Sequence, residues 1–236
     1  MAKRGKTSFN KEQESGEVRV EKWRKYLRFL LVVCEDQNTE PTYIKTFKRH
    51  FPAHSLYLEV AGVGLDPLGV VNKTIEKIEE LKGLTKREID EVWTVFDKDD
   101  ADLNQARAAR FDEAFATAKL HRINIAWSNE VFELWFLLHF EEVSPDIPIP
   151  RAAIYERLKN AVNNSVGQNV ISDGHSNVDI IPYLRSHGSE LDAINRAKAL
   201  ARHFSNTAII GSNPASKMYQ LVESLNSWIA YYNFRC

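Results

Sequence analysis

Tyr26-Leu27-Arg28-Phe29-Leu30-Leu31-Val32-Val33-Cys34-Glu35-Asp36-Gln37-Asn38 is an almost unbroken apolar, β-branched run that halts abruptly on polar residues. Such a run reads as a strand buried on both faces, which is the condition of a strand in a parallel sheet. Working outward, Thr39 suits a helix N-cap, Glu40 and Pro41 suit a first turn, and Tyr43, Ile44, Phe47 and Phe51 recur at helical spacing. Leu56 to Val60 reads as a second strand, ended by Ala61-Gly62-Val63-Gly64. Asp66 ahead of Pro67 then opens an amphipathic helix to about Lys82, with Leu68, Val71, Ile75, Ile78 and Leu81 on one face. Glu91 to Phe96 is a third strand, halted by Asp97-Lys98-Asp99-Asp100, and a helix from about Leu103 to Leu120 follows it. Ile123 to Trp127 is a fourth strand, running through Ser128-Asn129 into a helix over Val131 to Phe140. Four β-α units in succession predict an α/β fold with a doubly wound, mainly parallel sheet and right-handed crossovers.

After Phe140 the pattern changes. Ser144-Pro145-Asp146-Ile147-Pro148-Ile149-Pro150 reads as a linker, followed by helices over Arg151 to Val162, over Leu191 to Phe204, and from Asn213-Pro214 to about Tyr232. Residues 163 to 190, rich in Asn, Ser and Gly, read as loop with at most a turn or two of helix. The chain therefore divides into a disordered basic arm (1–22), an α/β domain (23–143) and a mostly helical C-terminal extension (144–236). In residues 1 to 28, nine Lys/Arg stand against four Glu, which suits either a solvated terminus or an arm that meets phosphates. With 44% apolar residues and only ten Gly and eight Pro in 236, collagenous and wholly disordered classes are excluded. Two cysteines, Cys34 and Cys236, make neither a disulfide framework nor a zinc pattern. No apolar run approaches the ~18 residues that span a bilayer, so a cytoplasmic location and no membrane partner are expected.

In an open parallel sheet, ligands bind at the carboxyl ends of the strands. Glu35 ends the first strand, Asp97 and Asp99 end the third, and the i, i+2 spacing lets both aspartates leave one side of an extended segment. Converging carboxylates need protons or a cation, and an all-oxygen set without His or Cys favours Mg²⁺ or Mn²⁺ over zinc or copper. Asp100 is a candidate for a second ion. Glu133, in an otherwise apolar helix, is a candidate auxiliary ligand, general base, or partner of an Arg or backbone group. His139 reads as an interior or rim histidine, with a catalytic role as the lesser alternative, Glu40 as serving a helix N-terminus or reaching a metal through water, and Lys98 as structural. Lys217 is a weak candidate for meeting a nucleic-acid phosphate.

Three motifs, Val32 to Tyr43 (VVCEDQNTEPTY), Trp93 to Asp100 (WTVFDKDD) and Ser128 to Phe140 (SNEVFELWFLLHF), resemble the RloB/AbiLii family, which carries a TOPRIM-like nuclease domain. The resemblance covers about residues 27 to 140 and extends weakly into the helical tail. It implies a TOPRIM-like fold in which Glu35, Asp97 and Asp99 occupy the metal-binding positions. The family's Glu-Gly becomes Glu35-Asp36, where Asp tolerates a left-handed turn, and its Ser-Asn-Pro-Cys-Phe-Glu becomes Ser-Asn-Glu-Val-Phe-Glu at 128–133. By that likeness the expected activity is Mg²⁺-dependent cleavage of DNA or RNA phosphodiesters, as an effector of an antiviral abortive-infection or restriction-linked system. The catalytic set would be Glu35, Asp97, Asp99 and Glu133. The chain has no G-x-x-x-x-G-K-[ST] motif, so ATP use would belong to a separate ATPase partner; a homo-oligomer stays open. Two rival readings are a phosphoaspartate-type phosphatase, whose D-x-D lies on a first strand, and an inactive module that only binds nucleic acid or its partner.

Overall fold

A computed structural model describes residues 25–175 and 178–234. The basic arm expected over 1–22 lies outside the described residues. Four strands, β1 (Arg28–Cys34), β2 (Leu56–Gly62), β3 (Glu91–Asp97) and β4 (Asn124–Ser128), form one all-parallel sheet in the order β2-β1-β3-β4. β1 is central, and all but its first residue are buried, as its continuous apolar run requires. Alternate residues face opposite layers. Leu30, Val32, Cys34, Trp93 and Val95 face one apolar cluster, and Leu31 and Val33 face another on the opposite side.

The crossover helices fall on both faces, so the doubly wound α/β architecture is the observed one. α1 (Thr39–Lys45, continued as a 3₁₀ turn through His50) covers the first face. α2 (Pro67–Thr85) and α3 (Gln105–Leu120) cover the second. Asp66 caps α2 by accepting from the Gly69 N–H at 2.9 Å, with Pro67 in the first turn. α3 is capped by Asn104, whose side chain accepts from the Arg107 N–H, and Leu103, where the sequence pattern starts that helix, instead ends a 3₁₀ turn at Ala101–Leu103. α4 (Glu133–Leu137) is shorter than the run Val131 to Phe140 suggests, and every residue of it is buried.

The first-face core does not end at the Pro-rich stretch. One apolar cluster joins Val32 and Val95 of the sheet to Trp135 of α4, Leu158 of α5 (Arg151–Val166), Leu184 of α6 (Ile181–Ser186), Ala197 of α7 (Glu190–His203) and Leu221 of α8 (Met218–Asn233). α8 begins four residues later than the expected start at Pro214. Residues 215–217 instead lie along the edge of β4: the Asn129 N–H donates to the Ala215 carbonyl, the Lys217 N–H donates to the Trp127 carbonyl, both at 2.7 Å, and Ser128 bridges Ser216. A backbone lying along an exposed strand edge gains partners that a helix start would forgo. Among the described residues no helix is long and apolar enough to cross a membrane.

Candidate active site

The strand order places β1 beside β3, and from β1 the chain first steps outward to β2 and then returns across to β3. This is the switch point at which the crossovers diverge and leave a crevice beyond the strand ends. Glu35 leaves the end of β1 and Asp97 the end of β3, in that crevice. The Asp97 N–H donates to Glu35 Oε2 at 2.9 Å, so two acids 62 positions apart are locked side by side. Asp97 Oδ2 accepts from the Phe132 N–H at 2.7 Å, while Oδ1 is buried without a hydrogen-bond partner. Glu40 and Glu133 complete the group: both side chains are buried, and Glu40 accepts from the Asp36 N–H at 3.2 Å. These four acids, with Asp36, Asp99, Arg151 and Tyr155, line a cleft of about 420 Å³.

The electrostatics follow from that crowding. Burial, then the charges of Asp99, Asp66 and Asp36, push Glu35 up to about 8 against the opposing pull of the Asp97 N–H. Burial and then the Glu40, Glu35, Asp99 and Glu133 carboxylates raise Asp97 well above the usual carboxylate range. Burial, followed by Glu35 and Asp36, raises Glu40 in the same direction. Carboxylates this reluctant to ionise, with one oxygen left over, are the donor set that a hard divalent cation would neutralise. The donor chemistry therefore fits Mg²⁺ or Mn²⁺. As the side chains stand, no three His, Cys, Asp or Glu residues among those described are arranged around one ion position.

Asp99 departs from the extended geometry expected of it. Its φ of 46° is left-handed, and its Oδ1 lies 3.5 Å from the Arg151 guanidinium. Asp100 is 2.7 Å from the same arginine and 3.8 Å from Arg107, so its carboxylate is held in a rim ion network. Lys98 is buried between Asp102 at 2.8 Å and Glu130 at 3.1 Å, the structural role its position suggests. The left-handed turn expected at Asp36 does not form. Its carboxylate instead accepts from the Gln37 and Thr39 N–H groups, and Thr39 is the first residue of α1 while Asn38, whose side chain makes no capping bond, stands at the N-cap position expected for Thr39. His139 is interior: its Nδ1 lies 2.9 Å from the Trp135 carbonyl, and burial pushes it down to about 4. Lys217 lies outside the acidic cleft, against the Tyr219 ring beside β4.

A family model described as RloB-like protein matches residues 30–225. The chain belongs to the RloB-like family. No curated protein and no solved structure matches it. The RloB-like match runs well past the three motifs, through α5, α6 and α7 and into α8. Those later elements also supply residues to the cleft that the sequence reading did not single out: Arg151 and Tyr155 from α5, and His175 from the loop behind it. No spacing signal marks them, because each reaches the crevice only when α5 packs on α4. Glu40 did carry a signal, in the first turn of the helix that follows Glu35, but a place at a helix start does not reveal burial among other acids.

Proposed function

We propose that this chain is a Mg²⁺- or Mn²⁺-dependent nuclease that hydrolyses nucleic-acid phosphodiesters. The observation that carries the reading is the hydrogen-bonded Glu35–Asp97 pair at the switch point, with Glu40 and Glu133 buried beside it. Glu35 and Asp97 would hold the ion, with Asp99 joining from the rim and Asp100 a candidate at a second ion. When bound, such an ion withdraws charge from a phosphate oxygen and acidifies an attacking water. The Phe132 N–H on Asp97 Oδ2 fixes that carboxylate and leaves Oδ1 without a hydrogen-bond partner. Glu133, buried at the start of α4 and lining the same cleft, would take the proton from the water. Arg151 supplies positive charge beside Asp99 for the phosphate. Family membership and the TOPRIM-like motifs extend this reading to a role as the nucleic-acid-cutting effector of an antiviral abortive-infection or restriction-linked system, working with a separate ATPase.

The test is incubation of purified wild type and Glu35→Ala with plasmid DNA and bulk tRNA, each with Mg²⁺, Mn²⁺ or EDTA. The expected result is cleavage of one substrate by wild type with metal, none in EDTA, and a loss of at least ~100-fold in Glu35→Ala. Equal degradation by both proteins overturns the proposal.

A further inference from the structure

The Asn- and Gly-rich stretch behind α5 is a built loop that faces the acidic cleft. Gly167 (φ 76°) turns the chain back at the end of α5. The Asn163 side chain then clamps the return: its Oδ1 accepts from the Val170 and Ile171 N–H groups at 2.8 and 2.9 Å, and its Nδ2 donates to the Ile171 carbonyl at 2.8 Å. Ile171 is buried beneath the loop. Gly174 lies so close to α5 that a Cβ there would stand 2.3 Å from the Tyr155 carbonyl oxygen. The next residue, exposed His175, sets its ring against Tyr155 with centroids 4.8 Å apart and planes at 66°. Both rings line the cleft that holds Glu35, Asp97 and Glu133.

We propose that Tyr155 and His175 form an aromatic corner that stacks one unpaired nucleobase beside the phosphate to be cut, so that the substrate is single-stranded or locally unpaired nucleic acid. The inference rests on the nuclease reading of the same cleft and adds the substrate class. Two rings meeting at an angle offer a face to one flat partner and an edge to the same partner, which every base can use regardless of its sequence. In a duplex that face is covered by neighbouring pairs, so a base reaches the corner only when it is out of the stack. The cleft volume is that of a pocket for one small organic group. A clamped loop also presents the corner already ordered, which lowers the entropic cost of binding.

The test uses the full chain with Ca²⁺, at one fixed salt concentration, and 2-aminopurine-labelled oligonucleotides as single-stranded DNA, single-stranded RNA and blunt duplexes of the same sequence. Anisotropy reads affinity and 2-aminopurine fluorescence reads stacking. Wild type is expected to bind a single strand about 10-fold more tightly than its duplex and to quench the label. Tyr155→Ala and His175→Ala should each weaken single-strand binding by roughly 5- to 10-fold and relieve the quenching, with duplex affinity unchanged, while Tyr155→Phe retains both signals. The DNA and RNA arms identify which single strand supplies the base. His175 is exposed, so its truncation leaves the core intact and carries the test if Tyr155→Ala fails to melt cooperatively. Single-strand affinity and quenching that survive the alanine variants, or equal binding of single strand and duplex by wild type, overturn the aromatic corner alone. A wild type that binds neither form overturns the nuclease reading as well.

Discussion

At Glu35, function and stability pull in opposite directions. Its folded-state value near 8 exceeds the ordinary 4.5, so between those values the folded protein holds a proton that the unfolded chain has released. Stability from this group is therefore present below about pH 4.5 and is lost as pH rises towards 8. Glu35→Gln keeps an oxygen to accept the Asp97 N–H but has no charge to desolvate. In EDTA, urea unfolding should find this variant ~2–4 kcal/mol more stable than wild type at pH 8, with a gap that shrinks towards pH 5. A variant that is less stable at pH 8 contradicts the buried-acid account. His139 acts at the acid side with the opposite sign. Burial lowers it from 6.5 to about 4, so stability is lost as pH falls through that window, and His139→Gln should show a shallower acid limb in the same titration. The placing of Glu35 and Asp97 at strand ends was legible in the sequence, because a strand that stops on an acid carries that acid to the sheet edge wherever the strand lies. The turn of Asp99 towards Arg151 was not, because it depends on a left-handed residue and on a partner 52 positions away.

Among the elements, the segments that join strand ends to helices decide the shape of the site. The end of β2 passes directly under the Glu35 loop: a Cβ on Gly62 would lie 2.2 Å from the Asp36 carbonyl oxygen and 2.5 Å from the Gln37 Cα. Gly62→Ala must therefore push backbone against backbone, costing ~1–3 kcal/mol and moving the loop that carries Glu35. Thermal unfolding and cleavage rate should both fall, and a variant that loses neither contradicts the close approach. The loop clamped by Asn163 makes a second prediction. Asn163→Ala removes three hydrogen bonds and should speed amide exchange at Val170 and Ile171 by at least ~10-fold, with little change in β1. Strand and helix identities were readable here because hydrophobic period and capping act over a few residues. The start of α8 was misplaced at Pro214 because the competing partner, the edge of β4, is almost ninety positions away in the chain.

The whole molecule buries the first face of its sheet under helices drawn from both sides of the Pro-rich stretch. Leu221, fully buried on α8, belongs to the same cluster as Val32 at the sheet centre. Leu221→Ala should destabilise the full chain by ~2–5 kcal/mol, and intrinsic fluorescence and far-ultraviolet circular dichroism should lose structure in one coincident transition. Two separated transitions would show that α8 unfolds without the sheet. The α/β class, the strand sequence and the strand-end acids follow from local chemistry: apolar runs of the right length, caps, and polar stops need no distant partner to be recognised. The meeting of Glu35 with Asp97, the burial of Glu40, and the arrival of Arg151, Tyr155 and His175 at the same cleft required the folded chain. Contacts across 60 to 140 residues depend on strand order and helix packing, and no local pattern of residue types encodes either.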